Sequence, residues 1–321
     1  MRPLTAHLNR TWVWCLRVVV AGFAIWAAVR GFGLDGATPV VQLISFTPYV
    51  AAASVLPLLA ALATRRWREA AVALLVVVAF GVFVLPRAVA GSGAASRAGA
   101  PLAVLTVNVL HGDADTGRIL ALIRRERPDV VSVQELTDEA VARLDAAGIA
   151  RELPHRALRP RPGVSGTGLY ARYPLSGGAG LDSRSTFDMT RAVLALPGRD
   201  VEVIAVHTSP PLPGGAVQRW ERDFGLLPRA QNGGPLRVLA GDFNATLDHS
   251  ALRKLLGSGY RDAASSAGAG LVPSWPHDSG LPPVTIDHVL VDERAGARSV
   301  EVFDVRGSDH RAVVARLALP R

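Results

Sequence analysis

Asp309 and His310 sit side by side in Gly307-Ser308-Asp309-His310-Arg311, just ahead of a terminal apolar run over 312–319. A carboxylate beside an imidazole is the raw material of acid–base chemistry, but successive side chains on an extended strand point to opposite faces. The pair therefore belongs where a strand begins and the backbone turns, so that both groups reach one pocket. Further polar residues stand at or beside the ends of apolar runs: Asn108, Glu135, His207, Asp242, Asn244 and Asp287. In Gly241-Asp242-Phe243-Asn244, Asp242 and Asn244 alternate with the ring of Phe243, which lets both polar groups point the same way. Glu135, closing the run 130–133 after Gln134, is costly to bury unpaired; a metal ion or an arginine would partner it.

These residues need a scaffold of short buried strands with helices between them. The apolar segments 102–109, 130–133, 192–196, 201–208, 236–240 and 285–291 read as strands, with 201–208 folding back on 192–196 around Pro197-Gly198-Arg199-Asp200. The segment 166–175 reads as one further strand that stops at a proline turn, and a final strand pair carries Asp309-His310. Helical spacing marks 115–127, 137–147, 216–227 and 250–256. Strands that end in polar side chains, with helices between, describe an α/β sandwich whose site lies at one rim of its sheets.

The first ninety residues are of a different kind. Apolar runs cover 12–29, 38–63 and 70–85, the last extending toward residue 90. Each approaches the ~20 residues that cross a hydrocarbon core of ~30 Å. A cleaved signal peptide has one short apolar region, so three successive long runs do not fit one. Arg2 and Arg10 precede the first run, and Arg65, Arg66 and Arg68 separate the second from the third, which assigns both segments to the cytoplasm. Three crossings that start inside end outside. The expected organisation is a membrane domain with three transmembrane helices (1–90), a linker of small residues (91–100) and a catalytic domain (101–321) outside the plasma membrane, with the N-terminus cytoplasmic.

Charge narrows the choice of partner. The chain has 321 residues, 49% of them hydrophobic, and a formal net charge of +8. Eight arginines (Arg2, Arg10, Arg17, Arg30, Arg65, Arg66, Arg68, Arg87) against Asp35 and Glu69 place +6 of that charge before residue 91. The globular part is nearly neutral, whereas nucleic acid calls for clustered Lys and Arg on the domain that binds it. Cys15 is the only cysteine, which rules out an intramolecular disulfide or a cysteine-built metal site.

Taken in order, Thr106-Val107-Asn108-Val109, Gln134-Glu135, Val206-His207-Thr208, Gly241-Asp242-Phe243-Asn244, Ile286-Asp287-His288-Val289 and Ser308-Asp309-His310 resemble the motifs of the endonuclease/exonuclease/phosphatase superfamily, which includes DNase I-like nucleases, abasic-site endonucleases, inositol polyphosphate 5-phosphatases and neutral sphingomyelinases. The resemblance covers 102–319 and implies a four-layer α/β/β/α sandwich and hydrolysis of phosphoric esters or anhydrides. It implies that Glu135 is the principal ligand of Mg²⁺ or Mn²⁺, with Asn108 and Asp309 supporting the metal or phosphate. It implies that Asp242 orients or deprotonates the attacking water and that Asn244 holds the phosphate. His310, polarised by Asp287, would act as acid/base or phosphate contact, and His207 would bind the scissile phosphate or assist the leaving group. Leu110 stands where some nucleases of the superfamily carry an acidic residue, which favours a single metal. His155, His249, His277 and His288 match no motif and read as structural or solvent-facing, and Arg159 and Arg161 read as a solvated loop.

Three spans joined to an external domain of this kind resemble the actinobacterial membrane proteins associated with teicoplanin resistance, the VanJ-like group. That likeness implies a phosphatase on polyprenyl-linked pyrophosphate or another lipid-linked phosphate, with the lipid bilayer as partner. An external nuclease on DNA and a catalytically inactive binding module are the alternatives.

Overall fold

The computed structural model describes residues 2–91, 99–230 and 234–320, with side chains from residue 10 onward. The expected linker 91–100 falls largely outside the described residues. The chain forms two compact units, one built from the first 86 residues together with Asp248–Ser250, the other from Arg87–Leu247 and Ala251–Arg321.

The first unit is helical. Helix α1 (Arg2–Phe32) is followed by a broken stretch of α2 (Val40–Leu43), a 3₁₀ turn, α3 (Thr47–Ala53) and α4 (Val55–Ala63), then by α5 (Trp67–Val84). The breaks in the second segment occur around Pro48 and Ser54, the former at the first turn of α3, where a missing N–H costs nothing. Three helical stretches, Arg10–Phe32, Val40–Ala63 and Trp67–Ala88, are long and apolar enough to cross a membrane. Among the described residues, every exposed large hydrophobic side chain except Leu212, Leu271, Val272 and Leu281 lies before residue 90. Inside the unit, Leu16, Val20, Ala61, Ala70 and Ala73 pack together, and Arg17 bonds Glu69 across α1 and α5 at 2.7 Å.

The second unit pairs two six-stranded mixed sheets. The first has the order β11 (Gly296–Asp304), β12 (Arg311–Leu319), β1 (Ala100–Asn108), β2 (Val130–Gln134), β4 (Thr167–Ala171), β3 (His155–Arg159). The second has the order β5 (Leu175–Gly180), β6 (Thr190–Leu196), β7 (Arg199–His207), β8 (Leu236–Asp242), β10 (Asp287–Asp292), β9 (Tyr260–Asp262). Period-two alternation divides the apolar residues between faces. Leu102 and Val104, Val201 and Val203, Val238 and Ala240, and Val289 and Val291 fill the layer between the sheets. Leu105, Val107, Val131 and Val133 face outward under α6 (Thr116–Glu126) and α7 (Asp138–Ala147), packed by Ile119, Ile123, Leu144 and others. On the second sheet Ile204, Val206, Leu239 and Leu290 are fully buried on the face away from that layer, where α8 (Ala216–Leu226) contributes the buried Trp220 and Phe224. The fold is the four-layer sandwich implied by the sequence.

Local signals explain the helix boundaries. The Asp115 side chain accepts from Arg118 N at the start of α6, and Thr137 does the same for Ala140 N at the start of α7, each satisfying a first-turn donor. Two expectations need correction. The run 166–175 is not one strand: β4 ends at Ala171, Tyr173-Pro174 carries the chain across, and β5 begins in the other sheet. A proline cannot donate to a ladder, so it sits where the chain leaves one sheet for the next. Arg159, expected in a solvated loop, instead closes β3, while the Asp309-His310 pair stands where expected, in the turn that opens β12.

Candidate active site

Strand direction gathers the polar residues. β1 and β2 run parallel, as do β7 and β8, so Asn108, Gln134, His207 and Asp242 all close their strands at one rim. β10 runs antiparallel to β8 and β12 antiparallel to β1, which brings their starts to that rim. His207 is the register partner of Asp242, and Asp242 that of Asp287, so these three side chains form a row on one face. That face is the inter-sheet one, since Asp242 follows Val238 and Ala240 in the period-two count, as Asn108 follows Leu102 and Val104. The apolar interior thus ends in a polar patch. Ser132 Oγ, one layer in, already donates across the sheets to Ala240 O at 2.8 Å.

Approach of the strands here is tight enough to exclude a side chain at Gly241, where an added Cβ would lie 1.9 Å from Val206 O. Glu135 adopts φ +58, an uncommon conformation for a residue other than glycine. Its neighbour Leu136 fixes it, donating to Gly166 O at 2.9 Å and accepting from Arg161 N at 3.0 Å. Strain of this kind is retained where a functional side chain must be aimed.

The side chains form one network. Asn108 Nδ2 donates to Glu135 Oε1 at 3.0 Å and to Asp242 Oδ2 at 3.2 Å, while its Oδ1 accepts from Leu110 N at 3.0 Å. In this arrangement Asn108 braces two carboxylates, and its oxygen is used by the backbone. Glu135 Oε2 accepts from His111 N at 2.8 Å, and the half-exposed His111 ring lies 3.5 Å from the same oxygen. His310 Nδ1 is 2.9 Å from Asp287 Oδ2, and its Nε2 is 3.6 Å from Asp242 Oδ2 and 4.0 Å from Asp309 Oδ1. His207 Nε2 is 3.8 Å from Asp242 Oδ2, with the Phe187 ring tilted against the imidazole at a centroid distance of 4.6 Å. Asn244 N donates to Asp242 Oδ1 at 2.8 Å, and Asn244 Nδ2 donates to Thr208 O at 2.9 Å, tying the ends of β7 and β8 together. Every site residue read from the sequence is therefore in this network.

Several contributors were not singled out in the sequence. Trp275 Nε1 donates to Asp309 Oδ2 at 2.9 Å. Ser274 Oγ accepts from Ile286 N and Asp287 N, both at 3.0 Å, and Ser308 Oγ donates to Asn108 O at 2.8 Å while accepting from His310 N. Ser274 and Trp275 neither open nor close a strand, and Ser308 stands in a motif without having been given a role of its own. His288 is structural as expected: fully buried, it contacts Asp262 Oδ2 at 3.0 Å and Ala245 O at 2.8 Å. Arg159 and Arg161 both pair with Asp188.

Burial and charge set the protonation states. Burial pushes Asp242 up to about 7, helped by Asp287 and opposed by His310. Burial alone would pull His310 down, but the charge of Asp287 and then of Asp242 overcomes it and lifts the imidazole to about 10. His207 is pushed down to about 3, by burial first and by the positive His310 second. At neutral pH the site therefore holds an imidazolium, a neutral imidazole and a carboxyl group poised near its midpoint. That is the separation of pKa values on which acid–base division of labour depends.

The donor set suits a hard divalent cation. Asp287 Oδ1 and Asp309 Oδ1 are buried acceptors with no hydrogen-bond partner, and the site is rich in carboxylate oxygen. Among the described residues, Asp242, Asp287 and His310 offer ligand atoms within 4.8 Å of one another. Within this trio His310 Nδ1 is taken by Asp287 Oδ2 at 2.9 Å. Glu135, which shares Asn108 with Asp242, and Asp309, beside His310, are further carboxylates available to a cation.

The profile of the Endonuclease/Exonuclease/phosphatase family matches residues 105–310. An endonuclease/exonuclease/phosphatase from Beutenbergia cavernae is similar in structure, with a TM-score of 0.55 and 22% identity over 68% of this chain and 72% of that one. So are the 3′ phosphatase NExo from Neisseria, bound to a product DNA hairpin (0.54, 18%, covering 67% and 98%), and D. rerio TDP2 complexed with single-strand DNA product (0.52, 15%, covering 68% and 99%). At these identities the likeness speaks for the fold. No curated protein matches the sequence. With the matched segment running from Leu105 to His310, well over half of its length, the chain belongs to the endonuclease/exonuclease/phosphatase family of metal-dependent phosphoesterases.

Proposed function

We propose that the protein is a membrane-anchored phosphatase that acts outside the plasma membrane on lipid-linked pyrophosphate of the polyprenyl type, or on a related phospholipid-like substrate, as the VanJ-like resemblance implies. The observation that carries this reading is the presence, in one chain, of a phosphoesterase site and three helices apolar enough to cross a membrane. Tethering a hydrolase to a bilayer raises its effective concentration toward lipid head groups and does nothing for a soluble substrate.

In this reading Asp242, ionised, takes the proton of the attacking water as its oxygen forms the new bond to phosphorus. The bond from phosphorus to the leaving oxygen then breaks. His310, kept positive by Asp287, faces the charge that grows on the phosphoryl oxygens, and hydrogen bonds to developing charge in a buried site are worth more than in water. The neutral His207, near Asp242, contacts the phosphate or the leaving group. Asn244, whose backbone N–H bonds Asp242 Oδ1, would hold the phosphate. Glu135 and Asp309, with Asn108 bracing, would hold a Mg²⁺ or Mn²⁺ ion. When bound, that ion supplies Lewis-acid polarisation of the phosphoryl group.

The second reading, an external nuclease, is favoured by the DNA held in two of the similar structures. Purified full-length protein assayed with Mg²⁺ against undecaprenyl pyrophosphate, a phosphodiester lipid and plasmid DNA separates the two. Release of phosphate from the pyrophosphate is expected; preferential cleavage of DNA would reverse the assignment.

A further inference from the structure

In the helical unit, Arg10, Val13, Trp14 and Arg17 recur at i, i+3, i+4 and i+7, and so share one face of α1. Together with Arg66, from the turn before α5, they line a cavity of about 300 Å³. Arg17 is clamped by Glu69, which accepts from its Nε at 2.9 Å and its Nη2 at 2.7 Å. Glu69 offsets one positive charge, and three guanidinium groups line the cavity. Its position along the chain matters as much as its charge. Arg10 and Arg66 mark the starts of two spanning stretches, where head groups meet the first helical turns. Arg17 lies about 10 Å further along α1 at 1.5 Å per residue. Trp14, 63% exposed between them, is the residue type that settles at the level of head groups.

We propose that this cavity binds the phosphate of an anionic lipid head group. Arginine suits the task because its planar donors match phosphate oxygens in pairs. A zwitterionic head group brings an ammonium that three arginines repel, so the cavity selects for net negative lipids. The tail of the lipid would lie along the exposed apolar side of α1 at Val18 and Trp14, a surface that inorganic phosphate cannot use. The site is built wholly within the helical unit and does not depend on which substrate the catalytic unit takes. It rests only on the helices lying in a bilayer.

The test uses the full chain in detergent, equilibrated with equal amounts of phosphatidylglycerol and phosphatidylcholine of matched acyl chains and read by native mass spectrometry. The expected result is retention of phosphatidylglycerol over phosphatidylcholine by about tenfold, falling to near parity in R10Q/R66Q, whose one remaining cavity arginine, Arg17, is paired with Glu69. Helix content and the rate of phosphoester hydrolysis in the variant should stay at the wild-type level. Equal retention of both lipids by the wild type, or undiminished selectivity in R10Q/R66Q, overturns the proposal. So does displacement of the lipid by inorganic phosphate at equal concentration, which would make the cavity a simple anion site. Should R10Q/R66Q fail to insert, the wild type decides alone. Selectivity that collapses at about 1 M salt, where charges are screened beyond about 3 Å, supports the site, and selectivity that survives it overturns the proposal.

Discussion

Asp287 and His310 meet at 2.9 Å across the interface of the two sheets, one beginning β10 of the second sheet and the other preceding β12 of the first. Asn108 and Asp242 make a second such crossing, at 3.2 Å. Neither sheet alone owns the pair.

Replacing Asp287 by asparagine keeps the shape of the pair and removes the largest influence that raises His310. The imidazole then loses its proton well below pH 10. A fall in kcat of about 10²–10⁴-fold is expected, the usual worth of a positioned acid–base group. The descending limb of the pH–rate profile should move to lower pH; an unmoved limb would remove Asp287 from this role.

Activity should rise as pH passes through about 7, because Asp242 must be ionised to accept a proton and burial holds it near that value. It should fall near pH 10, as His310 becomes neutral. The two limbs belong to the pair, since each group shifts the other. Asp242→Asn should abolish turnover with the protein still folded, and a flat profile between pH 6 and 8 in the wild type would contradict the assignment. In stability terms His310 works in the opposite sense from a typical salt-bridged carboxylate. Its raised pKa contributes stability that is complete below about 6.5 and lost as pH climbs through 10.

Trp275→Phe keeps the ring and deletes the N–H that holds Asp309 Oδ2. Outer partners of a ligand typically matter by 10–100-fold in metal affinity. Titration of Mn²⁺ by calorimetry should show weakening of about tenfold, with the melting temperature of the metal-free protein changed little. Unaltered binding would mean that Asp309 needs no such support.

His288→Phe leaves Asp262 buried without its imidazole and frees Ala245 O. Burial lowers the pKa of His288, but its bond to Asp262 outweighs this and leaves it raised. Loss of about 3 kcal/mol is expected, the common cost of breaking a buried charged pair from one side. Chemical denaturation would read it as a lower midpoint with an unchanged slope.

Much of this arrangement was legible because the strands are apolar and the site is not. Asn108, His207 and Asp242 each interrupt a run whose other residues are buried, so the change of character marks the rim. Glu135 stood out for the same reason, although its left-handed backbone could not be read from the sequence. Strand β3 was hidden because His155–Arg159 alternates arginine with small and apolar residues at a sheet edge, with no continuous apolar run. The division of 166–175 was hidden because a run of apolar residues does not say which sheet each half joins. Trp275 and Ser274 were invisible as site residues for another reason: they act on Asp309 and Asp287 from a loop, through contacts no periodicity encodes.

The pairing of β1 with β12, from Ala100 against Leu319 to Thr106 against Val313, sets an order in time. β1 lies between β12 and β2, so the first strand of the sandwich waits for the last before its sheet is whole. Contacts of such long separation form late and slowly. During synthesis Glu135, His207 and Asp242 all emerge before His310, which stands only just upstream of the closing strand. A chain interrupted before β12 would carry Glu135, His207 and Asp242 on a sandwich whose first strand lacks one of its two neighbours.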